Sequence, residues 1–167
     1  LAAAALLYLV AAGASVGIAI ALYQVVKRVH SGLALGAVIF RAIEATLYAT
    51  AVVALLSILP LGQELATAQA DDQGSFRAIA DSLLSARDHS NLAAIFAFNL
   101  GALMYYALFY RSQLVPRWLS GWGIAGVLLM ISACLMALSS DSPITGYMLL
   151  VLPIAVQELL LAVWLLV

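Results

Sequence analysis

Arg41, Glu44, Asn99, Gln157 and Glu158 are the residues of this 167-residue chain best placed to do chemistry, because each falls deep inside an otherwise apolar stretch. A charged side chain at the centre of a bilayer costs about 3 kcal/mol or more, and it persists only where it faces other protein or water. The planar guanidinium of Arg41 offers a fork of donors that can serve two carboxylates at once. With both glutamates ionised the trio carries a net negative charge. A low dielectric disfavours that, so one carboxyl should hold a proton or a cation. The trio therefore reads as a protonatable or cation-binding site. The plainer reading, and the one favoured on these residues alone, is a structural network, with the second glutamate neutral, that specifies how helices pack. His89, beside Arg87 and Asp88, stands apart from them. It reads as a pH-sensitive cap or ligand at the outer mouth, or as a solvated interface residue.

Composition says which solvent surrounds these groups. The chain is 66% hydrophobic and 9% charged, against about half and about a quarter in a soluble domain. A water-soluble core of this size cannot hide the excess, so the lipid bilayer is the first expected partner. A net charge of -1 gives no electrostatic case for nucleic acid. Cys134 is the single cysteine, so the chain can form no internal disulfide or Cys-based metal site. It reads as a small buried hydrophobe.

Several chemistries fall away. Lys27, the one lysine, lies outside the apolar runs, which removes a retinal Schiff base. No HExxH, Walker A loop or GxSxG is present. His30 and His89 belong to opposite membrane faces, so they cannot sandwich a haem. No catalytic residue, metal ligand or cofactor is therefore expected. Ser15, Ser57, Ser132 and Thr50 lie in apolar runs, where a hydroxyl ordinarily bonds back to its own helix.

The elements that must position the polar residues follow from length. A membrane helix needs about 20 apolar residues, and the runs 1–26, 33–59, 90–110, 118–138 and 146–167 qualify. They are continuous, whereas barrel strands would alternate every second residue. The expected fold is an all-α polytopic transmembrane bundle, one domain over 1–167 with five spans. The joints 27–32 and 111–117 are short and basic; 60–89 is mostly acidic, and 139–145 holds only Asp141. Basic loops stay cytoplasmic. That places 27–32 and 111–117 inside a plasma (inner) membrane, and 60–89 and 139–145 outside. The chain would then start outside, so a further span before Leu1, making six or more, is expected of the intact protein.

Within 60–89, residues 75–86 read as a short amphipathic helix at the outer interface, with Ser75 as its N-cap. Phe76, Ile79, Ala80, Leu83 and Leu84 share one face. Packing on the bundle and a lid over an outward opening are the two readings. Gly13 with Gly17, and Gly32 with Gly36, form GxxxG pairs that favour close helix approach. Gly121, Gly123 and Gly126 give the fourth span a small-residue face. Trp118, Trp122, Trp164, Tyr110 and Tyr147 fall near span ends, where aromatic belts form.

The depths agree. At about 1.5 Å per residue, Arg41 lies roughly 12 Å from the inner end of the second span, and Glu44 one turn deeper on the same face. Glu158 lies roughly 13 Å from the inner end of the fifth span, and Asn99 roughly 17 Å up the third. They meet in one layer if those three spans are neighbours.

The run Tyr110-Arg111-Ser112-Gln113-Leu114-Val115-Pro116-Arg117-Trp118-Leu119 resembles the loop signature of a family of bacterial polytopic membrane proteins, domain of unknown function 4386. Gly32-Leu33-Ala34-Leu35 running into Phe40-Arg41-Ala42-Ile43-Glu44-Ala45 is similar too, as is the closing Glu158-Leu159-Leu160-Leu161-Ala162-Val163-Trp164-Leu165-Leu166. The resemblance covers nearly the whole chain. It implies an integral membrane protein, usually with about six helices, in line with the charge pattern of the joints. Gln113 and Ser120 stand where the family usually has Gly. No activity comes with the resemblance.

Three function classes stay open. The first is a transport or permeation protein, or a subunit of one, with a midplane Arg41–Glu44–Glu158 site for a proton, cation or small solute. The second is a non-catalytic membrane partner or sensor, joined to another membrane protein or to a second copy, in which the layer only fixes the fold. An intramembrane enzyme ranks last, because no nucleophile–base pair or metal cluster is visible.

Overall fold

The chain folds as α1 (Ala2–Val26), α2 (Ser31–Thr67), α3 (Gln73–Ser112), α4 (Arg117–Ser140) and α5 (Met148–Leu166), the last entered through a 3-10 turn at Ile144–Tyr147. The computed structural model describes residues 2–67, 73–140 and 144–166. Asp71, Asp72 and Asp141, part of the acidic signature of the joints 60–89 and 139–145, lie outside the described residues. All five helices are long and apolar enough to cross a membrane, and the described residues contain no strand. The protein is an all-α, membrane-embedded bundle.

Two helices are much longer than their apolar runs. α2 has 37 residues and α3 has 40. At ~1.5 Å per residue each is about twice the ~30 Å hydrocarbon thickness. The separate interfacial helix expected at 75–86 is not found. Those residues are early turns of α3, which runs unbroken from Gln73. Gly74 sits at its start and no proline follows before Ser112, so nothing ends the helix after Leu84. Phe76, Ala80, Leu83 and Leu84 are half-buried, while Ile79 is exposed.

Packing follows chain order: α1 on α2, α2 on α3, α3 on α4 and α4 on α5, with α2 against α3 the most extensive and a narrow approach of α1 to α3. α1 buries Ala5, Ala12, Ala19 and Val26, with Tyr8, Ser15 and Leu22 half-buried between them. These positions make an a/d heptad seam. Three of the four paired glycines behave otherwise than expected. A methyl group added at Gly13 or Gly17 would meet nothing, and at Gly32 only its neighbour His30. Alanine is already small enough for the α1 seam, which leaves the α1 glycines outside it. Of these four, Gly36 does sit at a close approach, against Met104, and Gly101, outside the pairs, sits at another, its missing Cβ 3.4 Å from the Ala37 carbonyl.

Both basic joints are tightly capped. His30 Nδ1 accepts from the Leu33 N–H at 3.2 Å, closing the start of α2. α3 ends at Gln113, whose φ of 57° is left-handed and whose N–H bonds the Phe109 carbonyl at 3.0 Å. This helix-ending conformation normally falls to glycine. Val115 is buried, and the Pro116 carbonyl accepts from Leu119 and Ser120 to open α4.

Candidate functional site

Arg41 and Glu44, three apart on α2, point the same way into the bundle. Arg41 Nη1 lies 3.1 Å from Glu44 Oε2, and the Glu44 side chain is 4% exposed. Ser15, from the α1 seam, donates to the same carboxylate oxygen at 2.9 Å and sits 3.5 Å from Arg41 Nη1. The guanidinium carbon stands 4.3 Å from the centre of the Phe98 ring. Glu44 is thus held by a charge-assisted pair and a hydroxyl, which is what a buried carboxylate requires. Ser15 departs from its expected role. Thr50, Ser57 and Ser132 bond back to their own helices, whereas Ser15 crosses to α2, because its seam position faces Glu44.

Glu158 reaches the same guanidinium from α5 on different terms. Its Oε1 lies 3.7 Å from Arg41 Nη2, and its side chain is 40% exposed. The Tyr106 hydroxyl donates to Gln157 Oε1 at 2.7 Å and stands 3.4 Å from Glu158 Oε1. Gln157, fully buried, donates in turn to the Leu119 carbonyl of α4 at 3.2 Å. Every polar atom of its amide therefore has a partner. Gly123 makes this possible, since a methyl there would come within 2.7 Å of the Tyr106 ring. Gly126 does the same for the α5 backbone at Ile154, at 3.1 Å.

The remaining two sequence candidates lie elsewhere. Asn99 is fully buried but donates to its own helix at Ile95, 2.9 Å away. Its Oδ1 has no partner among the described residues. A single helix step separates it from Phe98, and Phe98 is the side chain that meets Arg41. His89 Nδ1 donates to the Ser85 carbonyl at 2.7 Å. It lines a cavity of about 550 Å³ midway along α3, with the Arg87–Asp88 pair and Asn91. Asn91 and Tyr8, joined by a 2.7 Å hydrogen bond, were not marked by sequence pattern. Neither were Ser15, Tyr105 and Tyr106. Adjacent tyrosines inside an apolar run are a usable signal, because a buried phenol needs a hydrogen-bond partner.

A crevice of about 240 Å³ begins at Arg41 and Glu158. α1 forms one side through Ser15, Ile18 and Leu22, and α5 the other through Glu158, Leu161 and Leu165. Tyr105, Tyr106 and Phe109 of α3 lie between them. Tyr105 ties α3 to α1 by donating to the Ala19 carbonyl at 3.2 Å. On α1, α3 and α5 the lining residues run from the polar layer toward the end with the basic joints. From Ser15 to Leu22 that is about 10 Å. The arrangement presents one carboxylate, loosely paired, to an open space lined mostly by apolar side chains.

No curated protein and no solved structure matches the chain. A family model does match it, over residues 1–167, and its description is Domain of unknown function (DUF4386). The loop signature, the polar layer and the apolar helices described above all fall within that match, and the chain belongs to this family of membrane-type helical proteins of unknown function.

Proposed function

We propose that the protein is of the transport or permeation type, alone or as a subunit, and that Glu158 is the group that takes up a proton, cation or small solute. One observation carries this reading. Of two carboxylates sharing a single guanidinium, Glu44 is sealed and doubly bonded, while Glu158 faces a crevice with its side chain 40% exposed. Arg41 is already balanced by Glu44, so Glu158 is the charge left to exchange. By the positive-inside rule the basic joints are cytoplasmic, and the crevice then opens toward the cytoplasm. The working membrane in this reading is the bacterial plasma membrane.

Proteoliposomes loaded with a pH-sensitive dye test the reading. An imposed cation or voltage gradient should drive proton movement in the wild type. Glu158→Gln should abolish it and Glu158→Asp should keep part of it. Equal signals from wild type and Glu158→Gln would overturn it. A second reading, a non-catalytic partner or sensor, draws on the fully paired Glu44 corner, which has the character of a structural lock. It expects Glu44→Gln and Glu158→Gln to change stability alone.

A further inference from the structure

We propose that the crevice beside Glu158 receives a lipophilic organic cation, an ammonium bearing aromatic or short alkyl groups, which enters from the lipid between α1 and α5. This rests on the reading that Glu158 is the binding group, and it names the class of ligand.

Charge sets the sign. Arg41 is engaged by Glu44 and Ser15, so an anion entering the crevice would find no unpaired cation, whereas a cation finds Glu158. The lining sets the chemistry. A hard inorganic cation needs a shell of six or more oxygens. Around Glu158 the crevice offers fewer: the side-chain oxygens that line it are those of Glu158 and the Ser15, Tyr105 and Tyr106 hydroxyls. Its remaining surface is mostly aliphatic, from Ile18, Leu22, Leu161 and Leu165, while the Tyr105, Tyr106 and Phe109 rings are buried. A carboxylate set among apolar side chains matches a cation that carries its own apolar groups. Access is lateral. Ile18 and Leu165 line the crevice from opposite sides and are 59% and 52% exposed, so an amphiphile dissolved in the bilayer reaches it without crossing packed protein.

A cation at Glu158 competes with a proton there. The groups that set this competition are Arg41, Glu44 and Tyr48 from α2, and Tyr105 and Tyr106 from α3. α1 adds the Ser15 hydroxyl, and α4 turns Gly123 toward this corner.

The probe is benzyltrimethylammonium, which cannot itself gain or lose a proton, so any pH dependence belongs to the protein. Equilibrium dialysis against the full chain in phosphatidylcholine nanodiscs should show saturable binding that weakens as pH is lowered. Glu158→Gln should weaken it by about tenfold or more, a loss of about 1.4 kcal/mol. Ala162→Trp, which fills the crevice and leaves the carboxylate in place, should weaken it likewise. That second variant keeps the test alive if Glu158→Gln fails to fold. Absence of saturable binding to the wild type overturns the inference, as does binding indifferent to both substitutions. Glu158-dependent proton movement without ammonium binding overturns the inference and leaves the proposed function standing. If Glu158→Gln alters neither, both fall.

Discussion

Glu44 and Glu158 share one guanidinium and differ in almost everything else. Glu44 sits three residues from Arg41 on the same helix, with its side chain 4% exposed, a 3.1 Å pair and a hydroxyl donor from α1. Glu158 arrives from α5, stands 3.7 Å away, and leaves its side chain 40% exposed to a crevice. A buried ion pair has little net worth relative to an apolar replacement, but removing one partner is costly because the other charge is stranded. A partly exposed pair at longer range is worth little either way. The same polar layer therefore contains a lock and an exchangeable group. Helix identity decides which is which. The partner on the same helix holds a fixed distance, and the partner across the crevice does not.

The strongest test makes one chemical change at both carboxylates. Glu44→Gln removes the charge that neutralises Arg41 inside the bundle, and it should destabilise the protein by about 3 kcal/mol. Unfolding by SDS titration from mild detergent reads this directly, with Trp118, Trp122 and Trp164 as intrinsic probes. A loss below 1 kcal/mol, by the scale of exposed pairs, would mean that Arg41 moves freely to Glu158, and the two carboxylates would then be equivalent.

Gly123→Ala probes the Glu158 side without touching a charge. The added methyl lies 2.7 Å from the Tyr106 ring, so the ring must move and its hydroxyl leaves Gln157 and Glu158. Overpacking of this kind costs about 1–3 kcal/mol. The Ser15–Glu44 bond, between other helices, should be unaffected. Tyrosine and tryptophan fluorescence together with the same SDS titration would report the change. Unchanged stability would show that Tyr106 is not held by α4.

How much of this was legible in the sequence differs between the two corners. The five spans were, because lipid imposes a length and an apolar composition that no soluble helix of this size shares. The Arg41–Glu44 pair was, because three-residue spacing fixes neighbours within a helix. The matching depth of Glu158 was legible too, since helical rise converts position into height. Rotation about the helix axis was not. Asn99 has the right height, yet Phe98 takes the place beside Arg41. In α1 the buried seam is set by size rather than polarity: Ala5, Ala12 and Ala19 are covered while equally apolar Leu6, Leu7 and Ile18 are exposed. Without polar contrast around the helix, the seam that aims Ser15 at Glu44 leaves no periodic mark. The extension of α2 and α3 beyond their apolar runs was hidden for a different reason. A helix satisfies its own backbone hydrogen bonds whatever side chains it carries, and hydropathy does not register that.

The smallest expected effect on stability is at Glu158 itself. Glu158→Gln keeps the size and shape of the side chain and can still accept from Tyr106. What it gives up is a 3.7 Å ion pair on a side chain that is 40% exposed, and Glu44 remains to balance Arg41. The SDS titration midpoint should therefore stay close to wild type, in contrast with Glu44→Gln. A stability loss as large as that of Glu44→Gln would place Glu158 in the lock as well, and the layer would then be structural throughout. A near-neutral stability together with abolished proton movement is the combination that separates the two roles, because a residue that only holds the fold cannot lose activity while the fold is kept.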